Sequence, residues 1–362
     1  MHHSAAFLRV TAWPNLLLAS VAASRGRRGR STVAAFEFQR ADALLCLQGE
    51  LLQGQWRHGP YVHFQIHEPK RRTISAAAFR DRIVHHALCQ ELEPRFERLF
   101  IADSYANRVG KGTHRALARA EEFCRNFRYV LRMDVRQHFP SVDHAILRQA
   151  LARQVMEDDV MALVNNILDS AHSDAAPTDS APAYFPGDDL FAACRPRGLP
   201  IGNLTSQFWS NVVLHALDVF VKRELRCAAY LRYVDDFALF ANDKATLWRW
   251  KVAIIERLAR LRLHVHEASA QALPTSSGMP WLGFVVYPYG VRVKARKVRY
   301  ATQRLGRLYE EMQTGRISFA QFDASVQGWI NHVRYGDVGE GLRRHVLQPF
   351  VLPPGCRPQR RE

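Results

Sequence analysis

The feature that most restricts the fold of this chain is the stretch "YLRYVDDFALF", which runs from Tyr230 to Phe240. Apolar residues occupy both sets of alternating positions around Asp235 and Asp236, as in a β-strand buried on both faces. Two adjacent carboxylates are costly there unless a cation or hydrogen bonds compensate their charge. We therefore expect a buried strand with a site for a divalent cation; the alternative is two aspartates that only cap a hairpin tip.

A second apolar run of β type, "YVLRMDVRQHF", carries the single carboxylate Asp134. Two strands that place Asp134 beside Asp235 would supply oxygen ligands for two Mg²⁺ ions, with Mn²⁺ as the alternative metal. Such ions activate a hydroxyl nucleophile and stabilise the leaving oxygen in phosphoryl transfer. Asp236 points the other way along the strand, so we expect it to support the site or to bind metal only occasionally.

Two other aspartate pairs lack apolar strand flanks. Asp158 and Asp159 lie in a helical pattern, where a charged pair is expected on a solvated face. Asp188 and Asp189 follow Gly187 in a sequence that superficially matches the GDD of viral RNA polymerases, but the absence of a preceding β-run predicts a turn.

The charge of the chain indicates a polyanionic partner. Fifty Lys and Arg residues against 34 Asp and Glu residues give a net charge of +16. Nucleic acid is favoured over a membrane, because no lipidation motif or transmembrane span is evident; the alternative is that the charge only aids solubility. Six scattered cysteines without a CxxC pair predict reduced thiols in a cytoplasmic protein. The apolar segment 15–24 has the look of a signal-peptide core, but it follows Trp13-Pro14 and is better explained as a helix.

The remaining patterns predict an α+β fold with an all-α C-terminal part. Helices are expected at 34–55, 79–99, 107–123 (after a Gly-Lys-Gly turn), 144–171, 198–225 (after a turn), 244–263 and beyond 291. Strands are expected at 61–74, 129–139, 230–240 and, as a β-hairpin, 279–293, with a loop at 172–197.

Three motifs in this order resemble the palm of reverse transcriptases: "RMDVRQHF", "YVDD" in an apolar hairpin, and "WLGF". The resemblance extends from about residue 64 to residue 335. It implies a right-hand polymerase fold with an N-terminal helical extension at 1–60, fingers at 61–127, a palm of antiparallel sheet and helices at 128–290 with an insertion at about 144–197, and an all-α thumb with tail at 291–362. It also implies three catalytic carboxylates and a metal site formed by Asp134, Val135, Asp235 and Asp236.

The resemblance also implies which residues bind substrates. Phe139, five residues after Asp134, matches the steric gate that excludes a 2′-hydroxyl and so favours dNTPs; a core phenylalanine is the alternative. The implied nucleotide-binding residues are Lys70, Arg72, Arg80, Phe139, Ile201, Gly202 and Gln207. The implied template and primer contacts are Arg108, Lys111, Tyr233, Trp281, Leu282, Gly283, Arg296, Arg299, Arg304 and Arg307. For the last four, an ordinary solvated helix is the alternative.

The segment "GLPIGNLTSQ" indicates a subtype. Ile201 stands where most reverse transcriptases have Gln, and Gln207 where they have Pro. Both changes resemble the enzymes of diversity-generating retroelements, which copy a template-repeat RNA with frequent errors opposite adenine. An Ile offers shape but no hydrogen bond, so we link Ile201, together with Arg72, to low fidelity. The resemblance implies an RNA template, an RNA/DNA hybrid and dNTPs as ligands, and a small accessory variability determinant as protein partner.

Two rival interpretations remain. One is a bacterial reverse transcriptase of group II intron, retron or defence type with ordinary fidelity. The other is a non-catalytic RNA-binding protein with a polymerase fold, which is disfavoured because the three aspartates and Phe139 are all present. The residues after Gly283 leave room for a thumb, and we expect neither an endonuclease module nor an RNase H domain.

Overall fold

The computed structural model describes residues 2–67, 71–173, 184–337 and 339–350. They divide into two compact units. The first contains residues up to 111 together with 132–238 and 248–270, and the second contains 112–131, 239–247 and the residues from 271 onward.

Four helices begin the first unit: α1 (Ala5–Thr11), α2 (Trp13–Ser24), α3 (Ser31–Phe38) and α4 (Arg40–Leu52). The hydroxyl of Ser4 caps α1 by accepting a hydrogen bond from the amide of Phe7 at 3.1 Å. Apolar side chains of α2 and α4, such as Leu16 and Leu44, are fully buried. The helix predicted around 15–24 is confirmed, and these helices form part of the core of the first unit.

The next elements are β1 (Val62–Ile66), β2 (Arg72–Ala76), α5 (Phe79–Glu97) and, in the second unit, α6 (Thr113–Asn126). The single strand expected at 61–74 is in fact an antiparallel hairpin, in which Val62 pairs with Ala76. The buried face of α5 includes Ile83 and Leu88.

The chain continues through β3 (Tyr129–Asp134), α7 (His138–Ser141), α8 (His144–Ala152), α9 (Asp158–Ser173), α10 (Leu190–Ala193) and α11 (Leu204–Val219). A π-helical turn, Phe220–Glu224, extends α11. The helix expected at 144–171 is two helices separated at 153–157. Asp159 is not on a solvated face as expected, because its carboxylate accepts hydrogen bonds from the amide and hydroxyl of Ser4, both at 2.7 Å. Asp189 caps α10 after a turn, as predicted for its pair.

The remaining elements of the central region are β4 (Tyr230–Tyr233), β5 (Asp236–Ala241), α12 (Lys244–Arg260) and β6 (Ala272–Pro274). A four-stranded sheet has the order β4-β5-β3-β6. The stretch that alternation predicted as one buried strand is therefore a hairpin, as the family resemblance implied, with its turn at Val234–Asp235 and Val234 at φ +57°. Burial on both faces is confirmed, since Phe237 and Ala238 are each 0% exposed.

The second unit ends with β7 (Met279–Trp281), β8 (Phe284–Tyr287), β9 (Gly290–Val293), α13 (Ala295–Gln313), α14 (Phe319–Val333) and α15 (Gly341–Leu347). The expected hairpin is a three-stranded antiparallel sheet in the order β7-β8-β9. Together these elements confirm the α+β class. Within the described residues, no single helix is long and apolar enough to cross a membrane.

Candidate active site

Two aspartates from separate elements of the first unit come together at the site. Asp134 ends β3, and Asp235 lies in the turn between β4 and β5. The amide of Val135 donates a hydrogen bond to the carbonyl oxygen of Asp235 at 3.2 Å, which joins the two segments directly. Burial, followed by the charge of Asp134, raises the pKa of Asp235 to about 6. The guanidinium of Arg72 at the start of β2 acts in the opposite direction, so its positive charge also reaches the site.

Asp236 differs from Asp235 in having a strong cationic partner. The guanidinium of Arg132 donates two hydrogen bonds to it, from Nε to Oδ1 at 2.7 Å and from Nη2 to Oδ2 at 2.8 Å. This fork geometry is the strong form of an arginine–carboxylate pair. Arg132 was missed by the sequence reasoning, although it stands two positions before Asp134 on the same strand, where alternation gives it the same face.

The metal site implied by the resemblance, Asp134, Val135, Asp235 and Asp236, stays a prediction. Within the described part of the chain, no three His, Cys, Asp or Glu side chains are arranged to hold a metal ion. Because Arg132 engages Asp236, the protein offers chiefly the carboxylates of Asp134 and Asp235. Mg²⁺ commonly binds one or two carboxylates and completes its coordination with water and substrate phosphates. The donor set therefore fits Mg²⁺ that binds together with a nucleotide.

A buried charged network supports the turn from beneath. The guanidinium of Arg232, 0% exposed, binds both carboxylate oxygens of Asp218 at 2.8 and 2.6 Å. It also donates to Asn211 Oδ1 at 3.0 Å and to the carbonyl oxygen of Val234 at 2.9 Å. The hydroxyl of Tyr230 donates to Asp218 at 2.7 Å. The sequence analysis did not predict this network, although Asp218 and Arg232 are each a charged residue within an apolar run.

The segment after residue 197 connects two parts of the site. The amide of Leu199 donates to the carbonyl oxygen of Phe139 at 2.8 Å, and the carbonyl oxygen of Ile201 accepts from the amide of Ser75 at 2.9 Å. Ile201 and Phe139 are both half-buried. The backbone of this segment therefore connects α7, which contains Phe139, with strand β2 in the unit that also carries the aspartates.

Gly202 occupies a position that only glycine tolerates. Its φ is +118°, and a Cβ there would lie 2.8 Å from Ile74 Cγ2, closer than real contacts allow. The adjacent Asn203 is buried, and its side-chain amide bonds to the amide of Ala77 at 3.2 Å and the carbonyl oxygen of Ser75 at 2.8 Å. Gln207, in the first turn of α11, is half-buried.

The basic residues predicted to hold the triphosphate have different surroundings. Lys70 lies outside the described residues. Arg72 is exposed on β2, whereas Arg80 forms an ion pair with Glu50. A phosphate contact from Arg80 therefore requires that this pair opens, while Arg72 can reach an anion directly.

Two residues predicted to contact template or nucleotide phosphate are engaged by the protein itself. The side chain of Arg108 is 5% exposed and pairs with Glu97 at 2.6 Å. Its remaining guanidinium nitrogen donates to the carbonyl oxygens of Ile101 and Ser104. The ammonium of Lys111 donates to a carbonyl oxygen at 2.7 Å. Both side chains order the loop after α5, so a phosphate would have to compete for their donors.

The predicted primer and duplex contacts lie mainly in the second unit. Trp281 is fully buried, and Leu282 and Gly283 form a two-residue turn with φ of +48° and +90°. Tyr233, in the first unit, is half-buried at the end of β4. The α13 arginines of the prediction are all exposed: Arg296, Arg299, Arg304 and Arg307. Ala301 and Leu305 form the buried side of this helix, so the basic face and the packed face are distinct.

The chain is similar in sequence to known proteins. Residues 66–286 match the family model described as reverse transcriptase (RNA-dependent DNA polymerase). Protein YkfC of Escherichia coli (strain K12) is 25% identical over 218 residues, which is 58% of this chain and 50% of YkfC. An uncharacterized 91 kDa protein in a cob intron of Schizosaccharomyces pombe is 24% identical over 152 residues, which is 42% of this chain and 17% of that protein.

Among solved structures, an apo telomerase from Candida tropicalis, truncated from the C-terminal domain, is similar with a TM-score of 0.49. The similarity has 15% sequence identity and covers 66% of this chain and 55% of the telomerase chain. The chain spans half or less of the length of the curated relatives it matches. The family model, by contrast, covers more than half of the chain and includes Asp134, Asp235 and Asp236. The chain therefore belongs to the reverse transcriptase (RNA-dependent DNA polymerase) family.

Proposed function

We propose that this chain is an RNA-directed DNA polymerase that transfers deoxynucleotides to the 3′ end of a primer paired with RNA. The proposal depends on one observation: the carboxylates of Asp134 and Asp235 lie close together in a partly buried place. Burial, and then the charge of Asp134, raises the pKa of Asp235 to about 6. A protein keeps such a pair where a cation and an anionic substrate bind together. Membership of the reverse transcriptase family supports the same chemistry.

In this mechanism each residue has a defined task. Asp134 and Asp235 would hold Mg²⁺, or Mn²⁺ in its place, while Arg132 fixes the carboxylate of Asp236. When bound there, the metal would supply positive charge that favours deprotonation of the attacking hydroxyl and offsets charge on the leaving oxygen. Arg72 attracts the triphosphate, and the ring of Phe139 occupies the space that a 2′-hydroxyl would need.

Replacing Phe139 with Ala is expected to weaken sugar discrimination. The ratio of dNTP to rNTP incorporation efficiency should fall by about 10- to 100-fold, because a pocket that excludes one small group by shape discriminates on this scale. Single-nucleotide extension with each substrate measures the ratio. Phe191→Ala is the matched control, since Phe191 is 84% exposed on α10. An unchanged ratio in Phe139→Ala would assign this ring to the core instead.

We further propose that the enzyme is of the diversity-generating retroelement type, with error-prone copying opposite adenine in a template-repeat RNA. The proposal rests on Ile201 and Gln207. The carbonyl oxygen of Ile201 accepts a hydrogen bond from strand β2, and an isoleucine side chain can offer a base pair shape but no hydrogen bond. The accessory variability determinant is the protein partner that this proposal includes. The match to a protein in a cob intron favours the alternative of a group II intron-like enzyme with ordinary fidelity.

Ile201→Gln is expected to make copying more accurate. Errors opposite template adenine should fall by about 3- to 10-fold, because one added hydrogen bond contributes about 0.5–1.5 kcal/mol to discrimination. Sequencing of cDNA made from a defined RNA measures the error spectrum. Ile146→Gln, at another half-buried position on α8, is the control. If the unmodified enzyme shows no excess of errors opposite adenine, the ordinary-fidelity alternative replaces this subtype.

A further inference from the structure

A cavity of about 240 Å³ lies in the first unit, away from the aspartates described above. Its wall is formed by the end of α2 with the residues that follow, by α5, and by the first turn of α11. Three arginines contribute to it, Arg25, Arg27 and Arg82, together with His85 and His86. Among the described residues that line it there is no Asp or Glu. The cavity is therefore strongly positive.

Two arginines that follow α2, Arg25 and Arg27, supply much of the positive charge at this cavity. Within the described residues, neither Arg25 nor Arg27 forms an ion pair, whereas the neighbouring Arg28 lies 3.5 Å from Glu37. Burial, followed by the charge of Arg30, lowers the pKa of Arg27. Burial, followed by the charges of Arg27 and Arg25, lowers the pKa of His86. Both shifts come first from burial and then from neighbouring cations, and an anion in the cavity would favour the charged form of each group.

The helix that borders the cavity adds to this potential. Asn203 stands at the N-cap position of α11 but makes no capping hydrogen bond with its side chain. Its amide is used instead by strand β2 and the residue after it, as described above. The positive end of a 16-residue helix is therefore not neutralised by its cap. Gln207, whose amide both donates and accepts, also lines the cavity.

We propose that this cavity binds a phosphodiester group of single-stranded RNA, in the part of the template that has not yet been copied. This inference rests on the proposed RNA-directed polymerisation. The volume suits one phosphate with its sugar, and a concave wall admits a single strand more readily than a rigid duplex. Guanidinium groups bind phosphate oxygens in a forked geometry. Gly202 belongs both to the cavity wall and to the contact with Ile74, so a strand held here lies beside the segment that carries Ile201.

The test compares binding of two DNA primer–RNA template duplexes, one with a long single-stranded template overhang and one with a single unpaired nucleotide. Fluorescence anisotropy without dNTPs gives the affinity at several salt concentrations. In Arg25→Ala/Arg27→Ala, affinity for the long overhang should fall about 10-fold, and the slope of log affinity against log salt should fall by about 0.7–1.4, because each single-strand phosphate contact contributes about 0.7. Affinity for the short overhang should stay within about 2-fold.

The matched control is Arg28→Ala/Arg30→Ala, which removes the same charge from the same segment but from residues outside the cavity wall. It should affect both duplexes equally and weakly. An equal loss in the two double variants, or a loss independent of overhang length, would overturn the proposal. If the cavity variant lost competition by inorganic phosphate but bound the long overhang normally, the site would serve a free anion instead. The binding assay contains no dNTP, so its result does not depend on DNA synthesis. A failure of the enzyme to synthesise DNA would refute the proposed function and is measured separately. Thermal unfolding of both double variants checks that they are folded.

Discussion

Asp235→Asn is expected to reduce primer extension on an RNA template by at least about 10³-fold, because loss of a metal ligand removes several kcal/mol of transition-state stabilisation and about 1.4 kcal/mol corresponds to a factor of ten. Asp235 is one of the two carboxylates that the protein leaves available for a cation, since Asp236 is bound by Arg132. Asparagine keeps the size of the side chain and removes its charge. Single-turnover extension with dNTPs and Mg²⁺ measures the loss.

The same substitution is expected to stabilise the metal-free protein at neutral pH. The folded-state pKa of Asp235 is about 6, above the ordinary value of 3.8, because of burial and then the charge of Asp134. Because the folded-state pKa is raised, ionisation of Asp235 lowers the free energy of unfolding. The whole of this cost is present above pH 6, and it disappears as the pH falls towards 3.8. Asp235→Asn should therefore increase the free energy of unfolding by about 1–3 kcal/mol at pH 7–8, at about 1.4 kcal/mol per pKa unit, and by much less near pH 4.

Thermal or urea unfolding in EDTA at these two pH values measures the effect. Added Mg²⁺ should stabilise the unmodified protein more than the variant, since a ligand stabilises only the state that binds it. Asp158→Asn is the matched control, because Asp158 is exposed at the start of α9 in another aspartate pair. If Asp235→Asn extended the primer at the rate of the control, Asp235 would not be a catalytic residue. A variant that is both inactive and less stable at pH 7–8 would show that the carboxylate has a structural role.

Arg232→Met is expected to be the most destabilising of these substitutions, by about 3–5 kcal/mol, because it leaves the carboxylate of Asp218 buried without its partner. Both side chains are 0% exposed. The change also removes the donor to the carbonyl oxygen of Val234, which holds the turn that carries Asp235. Urea unfolding gives the free energy of unfolding. Primer extension measured well below the unfolding temperature should also fall, because the turn that carries Asp235 loses a hydrogen bond.

Two further variants separate the causes. Arg223→Met, at an exposed position, should change the free energy of unfolding by less than about 0.5 kcal/mol. Arg232→Met combined with Asp218→Leu removes both charges and should recover more than half of the lost stability, since an apolar pair often replaces a buried ion pair at little cost. Its activity should stay low, because Val234 still lacks its donor. A double variant as unstable as the single one would mean that the hydrogen bonds to Asn211 and Tyr230 dominate the network.

Much of the architecture follows from local patterns in the sequence. Alternation of apolar residues predicts the buried β-structure around Asp235, and the order of three motifs predicts a reverse transcriptase that the family match confirms. For the run from Tyr230 to Phe240, alternation alone wrongly predicted a single strand, because a turn of two residues leaves almost no mark on an alternating pattern; the hairpin implied by the family resemblance is confirmed. The division of 144–171 into two helices was missed for a similar reason.

The sequence by itself determined which carboxylates are unusual, since their apolar flanks make burial costly wherever the chain folds. Only the tertiary structure decided how each charge is compensated. Arg132 binds Asp236 across 104 positions of the sequence, and Arg232 binds Asp218 from another element. The cavity at Arg25 and Arg27 likewise depends on α2, α5 and α11 meeting. Ion pairing acts over a few ångströms in space, so it depends on strand register and helix packing, which the spacing of residues along the chain does not specify.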